Sequence, residues 1–424
     1  MAIKRLVSAK IEVDFQTLAL RVIARCAELA QLTETPGMLT RTFLSPAIRD
    51  CHRLIAGWME SLGLRSSVDA MGNLRGFPSS EPTPSNAIRP RLLIGSHIDT
   101  VPNAGAYDGV LGVMLGLALV EASRTLELPF DIEVIAFSEE EGVRFRVPFL
   151  GSRALAGTPD SQLLALRDAN GVTLEAAIRS FGLDPNEISA AKLDENTFAY
   201  LEFHIEQGPV LESLGLSLAA VKAIAGQSRR TIVFAGSANH AGTTPMEMRR
   251  DALAGAAEWI VAVENFARAY PGLVATVGRL QVAPGASNVV PGEVRASLDI
   301  RHASDVERTT ATETLLASAR TISEKRGLRF SCHEDLEQSA VAMDAELTAA
   351  AERAIAAAGQ ESKTIISGAG HDAMILAEVV PSAMIFLRTP GGISHHPDET
   401  VLVGDVEQAI RAGITFLKEL ALKQ

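Results

Sequence analysis

Cysteine is scarce in this chain. Cys26, Cys51 and Cys332 are three in 424 residues, widely separated and odd in number, which argues against a disulfide framework and fits a reducing cytoplasm. Long apolar runs are lacking as well: the longest, around residues 110–120, is broken by glycines and too short to cross a bilayer. Residues 1–10 carry basic side chains, but an amphipathic helical pattern follows them instead of the apolar core of an export signal. Positive charge is in deficit, with 39 Lys and Arg against 51 Asp and Glu and a formal net charge of −12. No basic run with interleaved aromatics occurs, so a nucleic-acid surface is not expected, because neutralising phosphates takes clustered Lys and Arg. Internal repeats and low-complexity tails are absent too.

What is present is apolar residue, 47% of the chain, enough over this length for a large core and two domains. Phe15, Leu18, Val22, Cys26 and Leu29 recur at helical spacing. Ser45-Pro46 reads as an N-cap and first-turn proline for a second helix with Ile48, Cys51, Ile55 and Leu62 on one face, which leaves His52 off the stripe and at the surface. Residues 68–77 form a hairpin around Met71-Gly72-Asn73, and 78–90 a loop rich in proline and serine.

The chain is organised around residues 92–120. Leu92, Leu93 and Ile94 make a strand covered on both faces, and His97 and Asp99 follow at its carboxyl end. A histidine that binds metal usually hydrogen-bonds a carboxylate through its other nitrogen, so His97 reads as ligand and Asp99 as the group that orients it. A glycine-rich turn, 105–109, carries Asp108 to the start of the helix 110–120. Strand 132–137 ends in Ser138-Glu139-Glu140-Glu141-Gly142, three adjacent carboxylates that repel one another unless a cation sits beside them. Strand 198–205 ends near His204. Strands alternating with helices indicate an α/β fold, whose sites lie beyond the carboxyl ends of its strands.

From about residue 214 the texture changes. Strands 231–235 and 293–301 and helices 251–269 and 306–326 suggest an inserted α+β domain over 214–333, dividing the first domain into 1–213 and 334–424. It holds two polar motifs, one from Asn239-His240 to Met246 and one comprising Asn288 with Asp299-Ile300-Arg301. An alanine-rich helix, 347–358, precedes two dense loops, Ser367 to Asp372 and Gly391 to Glu399. Strand 383–387 lies between them, and helix 404–422 closes the chain.

His97, Asp108, Glu140 or Glu141, His204 and His395 or His396 are nitrogen and oxygen donors suited to zinc, manganese or cobalt. They exceed the needs of one tetrahedral ion, and an aspartate can bridge two ions with a glutamate to spare as general base. These residues lie in the motifs GSHIDTVPNAGAYDGVLG, FSEEEGVRF, FHIEQGPVLE, HAGTTPMEMRRDA, SNVVPGEV, LDIR, SGAGHDA and GGISHHPDE. Through them the chain resembles, over nearly its whole length, the hydantoinase/carbamoylase amidases, a group that includes N-carbamoyl-L-amino acid hydrolases, allantoate amidohydrolases and β-ureidopropionases within the aminoacylase-like dinuclear metallopeptidases.

The resemblance implies a mixed-sheet α/β dinuclear metallohydrolase domain with an inserted lid and dimerisation domain, two divalent ions per subunit (zinc, or manganese or cobalt), and a homodimer. It implies that His97 and His204 bind different ions, that Asp108 bridges them, and that Glu141 and His395 complete the sets. The family's Glu-Glu-Gly makes Glu140 the base, Asp99 joins the catalytic set as the group that orients His97, and the family's ligand directly after serine selects His395 over His396. His240 would stabilise the oxyanion; Asn288, Arg301 and Gln207 would hold a small ureido-acid substrate. An N-acyl-amino-acid amidase or dipeptidase with the same metals is a rival reading, and a non-catalytic metal-binding scaffold a more distant one.

Overall fold

A computed structural model describes residues 13–79, 89–158 and 161–423, so the basic N-terminus and most of the expected loop 78–90 lie outside the described residues. The chain forms two compact units, one of residues 1–222, 343–365 and 371–424, the other of 223–342 and 366–370.

The first unit opens with α1 (Phe15–Leu29), α2 (Pro46–Ser61), β1 (Leu64–Val68), β2 (Leu74–Pro78), β3 (Arg91–His97), α3 (Val110–Ala122) and β4 (Asp131–Phe137). It continues with α4 (Leu150–Ala156), α5 (Leu174–Phe181), β5 (Thr197–Ile205), α6 (Val210–Leu214) and β6 (Leu218–Ile224). The second unit supplies β7 (Gly226–Ala235), β8 (Asn239–His240), α7 (Ala252–Ala269), β9 (Val274–Thr276), β10 (Leu280–Ala283), β11 (Val289–Val290), β12 (Glu293–His302), α8 (Asp305–Lys325), β13 (Arg329–Gln338) and β14 (Val341–Ala342). The chain then returns through α9 (Ala345–Ala357), β15 (Thr364–Ser367), α10 (Asp372–Leu376), β16 (Ser382–Leu387) and α11 (Val403–Ala421).

The sheet of the first unit runs β1-β2-β4-β3-β5-β16-β6. Its centre is parallel, β4 beside β3, β3 beside β5 and β5 beside β16, whereas β2 and β6 join antiparallel at the flanks. The central strands are largely apolar, Glu133 of β4 and Glu202 of β5 apart, because helices cover them, and all four deliver their carboxyl ends to one rim. Helix α3 is apolar all round, as a helix enclosed by other elements must be. It lies on β3, β4 and β5 and is flanked by α1 and α11. Gly112 permits that approach: a Cβ there would sit 2.1 Å from the Phe203 carbonyl oxygen.

Helix α2 starts as its sequence indicates, with the Ser45 hydroxyl accepting from the Ile48 N–H and Pro46 in the first turn. His52 departs from expectation. It is buried, with its ring edge-on to Phe181 at 5.8 Å. The helix has a second covered side, where Phe181 packs on His52, and one apolar stripe does not disclose it.

The second unit is an antiparallel sheet in the order β10-β12-β7-β13, with β9 also on β12, and α7 and α8 packed on it. Strand β12 alternates: Val294, Ala296, Leu298 and Ile300 are buried, while Arg295, Ser297, Asp299 and Arg301 occupy the other face. Trp259 of α7 anchors the core and donates its indole N–H to the Leu315 carbonyl at 3.0 Å.

Candidate metal centre

His97 is the last residue of β3 and His204 the last but one of β5, so adjacent parallel strands bring the two rings together, stacked with centroids 5.6 Å apart. Each ring has its Nδ1 on a main-chain carbonyl, His97 on Asp99 at 3.0 Å and His204 on Ile205 at 2.9 Å. That pairing keeps a proton on Nδ1 and turns both Nε2 atoms toward Asp108, where a cation would displace any Nε2 proton and take the lone pairs. The orienting partner of His97 is thus the carbonyl of Asp99. The Asp99 carboxylate is 3.7 Å from His97 Nδ1 and instead accepts the N–H groups of Glu140 and Glu141, each at 3.1 Å.

Asp108 is buried on the turn before α3. Its Oδ1 is 3.2 Å from His204 Nε2 and 3.7 Å from His97 Nε2, and its Oδ2 is 3.1 Å from His395 Nε2. Glu141 Oε1 completes the second cluster at 3.5 Å from His395 Nε2. Two groups of donor atoms share Asp108, one of His97, Asp108 and His204 and the other of Asp108, Glu141 and His395; beside them lie His97 with Glu140 and Glu141, and Glu202 with His204 and His371. His97 and His204, expected on different ions, lie together in one of these groups. Their Nε2 atoms are 3.4 Å apart on one side of Asp108, a consequence of β3 and β5 being neighbours in the sheet.

The run of three glutamates is divided by its hydrogen bonds. Glu139 turns back into the fold and accepts the N–H groups of Phe43, Arg144 and Phe145, while Glu140 and Glu141 face the histidines. Glu140 Oε2 lies 4.0 Å from His97 Nε2. Its main chain is held at both ends, the N–H by Asp99 and the carbonyl by the Phe149 N–H at 3.2 Å. The adjacent histidines separate as well: His395 faces Asp108, whereas His396 is exposed and has its Nδ1 near Asp398.

The electrostatics describe a site short of positive charge. Burial pushes Glu140 well above the usual carboxylate range, and Glu141 adds to the push. Burial together with Asp108 raises Glu141 to about 7, and burial with Asp99 raises Glu139 to about 8. Burial would raise Asp108 also, but hydrogen bonds from His204, His395 and His97 hold it well below its usual value. Packed together without a cation, the three glutamates are driven to retain protons and Asp108 stays charged only through its histidine donors; divalent ions would replace those protons, so the donor set fits two metals.

Gln207, expected at the substrate, donates its Nε2 to both Asp108 oxygens at 3.2 and 3.1 Å, and its buried Oε1 has no partner among the described residues. Two neighbours were not singled out in the sequence. His371 is buried with its ring 4.5 Å from that of His204, and Glu202, beside both, accepts from the Ser96 hydroxyl and the Ala373 N–H. The available signal was the placement of His371 in a glycine-rich loop directly before α10.

In the second unit His240 pairs with Val289, and the Ala241 N–H bonds the Asn288 carbonyl, so His240 and Asn288 are close in space. Arg301 is elsewhere on that unit. It forks onto Asp299, Nε to Oδ1 at 2.9 Å and Nη2 to Oδ2 at 3.1 Å, and lines an open cleft of about 660 Å³ together with Arg229 and Arg279.

A parallel-centred sheet with a two-group N/O donor set on its carboxyl rim defines the class as metal-dependent α/β hydrolase. Residues 93–423 match the model of peptidase family M20/M25/M40. The chain is 39% identical to allantoate deiminase 2 of Glycine max over 96% of this chain and 90% of that one. It is also 39% identical to an N-carbamoyl-L-amino acid amidohydrolase of Geobacillus stearothermophilus, over 89% and 93%. A solved amidase of the hydantoinase/carbamoylase family from Burkholderia multivorans superposes with a TM-score of 0.88 at 30% identity, covering 95% of this chain and 98% of that one. The protein belongs to peptidase family M20/M25/M40 and, within it, to the hydantoinase/carbamoylase amidases.

Proposed function

We propose that the protein is a metal-dependent amidohydrolase that cleaves the ureido C–N bond of N-carbamoyl-L-amino acids or allantoate and releases ammonia and carbon dioxide. The observation that carries this reading is a two-ion donor set with one buried glutamate, Glu140, beside it and not needed by either cluster that shares Asp108. His97, Asp108 and His204 would hold one ion, and Asp108, Glu141 and His395 the other; zinc, manganese and cobalt all suit such donors. When bound, the cations supply Lewis-acid polarisation of the carbonyl and acidify water.

The chain's own groups do the rest. The Glu140 carboxylate takes the proton of the attacking water and delivers it to the leaving nitrogen. Asp99 acts as a support, fixing the N–H groups of Glu140 and Glu141. Gln207 holds Asp108 with its amide nitrogen and offers Oε1 to a ureido N–H. His240 donates to the oxyanion as it develops, the role that usually contributes most in acyl transfer. Arg301 pairs with the substrate carboxylate through the guanidinium N–H groups not taken by Asp299 and by the Gly368 carbonyl, which Nη1 meets at 2.6 Å, and Asn288 hydrogen-bonds the same substrate.

A homodimer belongs to the proposal, and the register of β12 supports it. Arg301 stands opposite Gln227 and Glu293 opposite Ala235, eight residues along each strand, which is about 26 Å at the usual rise. His240 and Asn288 lie past the Glu293 end. No small ureido acid spans that length, so a second copy supplies one of the two groups. Mixing His240→Ala with Arg301→Ala protein should restore part of the activity that each lacks; two inactive variants that stay inactive when exchanged would remove the shared site. The three unpaired thiols support a reducing cytoplasm, and no helix among the described residues is long and apolar enough to cross a membrane.

The experiment that decides the substrate is ammonia release from allantoate and from a panel of N-carbamoyl-L-amino acids, offered side by side. Preference for either class supports the assignment. Turnover confined to N-acyl amino acids would overturn it.

A further inference from the structure

His97 and His204 are set by strands of the central sheet, but the other ligands proposed above have no such support. Asp108 sits on a turn, and His395 on the loop between β16 and α11, with a left-handed backbone (φ +55°) and a half-exposed side chain. Something must fix these two segments to each other if Asp108 Oδ2 and His395 Nε2 are to stay 3.1 Å apart.

Glu399 makes that connection. It belongs to the His395 loop, is 5% exposed, and reaches across 291 residues of sequence to the Asp108 turn. Its Oε1 accepts the N–H of Tyr107 at 2.9 Å and that of Asp108 itself at 3.0 Å. Its Oε2 is 3.3 Å from the hydroxyl of Ser394, the residue before His395, and the same hydroxyl is 3.4 Å from Asp108 Oδ2. The Glu399 N–H bonds the His396 carbonyl at 3.0 Å, which closes the loop on the far side of His395. The turn is shaped to receive this side chain: a Cβ at Gly105 would lie 2.3 Å from the Glu399 Cβ and 2.4 Å from its Oε1. Among the described residues no arginine or lysine bonds Glu399, and its side chain meets the two main-chain donors and the serine.

We propose that Glu399 is a positioning residue that locks the Asp108 turn to the His395 loop and thereby sets the affinity of the ion held by Asp108, Glu141 and His395. The proposal rests on the ligand assignment given above. Glu399 touches neither substrate nor ion; it acts through the main chain of one ligand and the neighbour of another. Outer groups of this kind typically change metal affinity by about 10–100-fold when removed. Because His97 and His204 take their positions from β3 and β5, the ion in their cluster should feel Glu399 only through the shared Asp108, and less than the ion held by Asp108, Glu141 and His395.

The test is a cobalt titration of chelator-stripped protein, read by calorimetry and by visible absorption, with the melting temperature of the stripped form measured alongside. Wild type should take up two equivalents. In Glu399→Ala one equivalent should bind about 10–100-fold more weakly and the other should weaken less. Glu399→Gln keeps an oxygen for both amides and should recover most of that loss. Glu399→Asp, one methylene short, should not, and it provides the same comparison if the alanine variant fails to fold. A variant whose stripped form melts lower while both equivalents bind as in wild type would make Glu399 merely structural and overturn the proposal. Wild type that takes up fewer than two ions would overturn the ligand assignment itself, and the proposal with it.

Discussion

Replacing Glu140 by glutamine separates proton transfer from metal binding. The side chain is buried and its main chain is held by Asp99 on one side and Phe149 on the other, so an isosteric amide should occupy the same place. The donors grouped around Asp108 are untouched, and metal affinity should stay within about threefold of wild type because none of those ligands changes. The lost function is acceptance of a proton from water and its return to the leaving nitrogen. General acid–base catalysis of this kind contributes about 10²–10⁴-fold. At roughly 1.4 kcal/mol per decade the barrier should rise by about 3–5 kcal/mol, with KM little altered. Initial rates of ammonia release over a range of substrate concentrations, on protein whose metal content has been measured, read both quantities. Turnover above about a tenth of wild type with a full metal load would refute the assignment of the base. Loss of metal would refute it differently, by making Glu140 a ligand, a role its place near His97 and Glu141 would allow.

Arg301→Ala should raise KM for carboxylated substrates by about 10–100-fold, the cost of a charge-assisted pair, with kcat less affected; an unchanged KM would move the carboxylate site elsewhere. Gly109→Ala places a Cβ 2.4 Å from the His97 ring at a backbone φ of +67°, so metal affinity in a cobalt titration should fall at least about tenfold, and wild-type affinity would contradict the fit. Burial lowers His52 from 6.5 to about 4, so between these values the unfolded chain binds a proton that the folded chain does not. Stability therefore rises with pH across that window, and going from pH 7 to pH 5 costs about 2 kcal/mol through this group. Urea titrations of His52→Gln should lack that part of the acid limb; a variant with the wild-type pH slope would refute the burial argument.

Much of the site was legible because the chain writes parallel strands plainly. Leu92 to Ile94 is a continuous apolar run with its chemistry directly after it, and the same pattern before Glu139 and around His204 put three sets of donors on one rim. Strand order is not written that way. Nothing local says that β3 has β5 on one side and β4 on the other, and without that neighbour relation the pairing of His97 with His204 on one side of Asp108 could not be read. His52 was misplaced for a related reason: a helical wheel records one apolar stripe, while α2 is covered on a second side by Phe181. Asp99 was recognised as an orienting residue, but whether its carbonyl or its carboxylate meets His97 depends on the turn into Thr100, which composition does not specify. Glu399 lies inside the motif GGISHHPDE, where nothing local gives it a role, since its partners Tyr107 and Asp108 are distant in sequence.

The most direct test of the central claim is ammonia release from a ureido acid by protein stripped with chelator and then reloaded with zinc, manganese or cobalt. The account requires no release from stripped protein and restored release, from allantoate or an N-carbamoyl-L-amino acid, as two ions per chain return. Full metal uptake with no ammonia from either substrate class would contradict it.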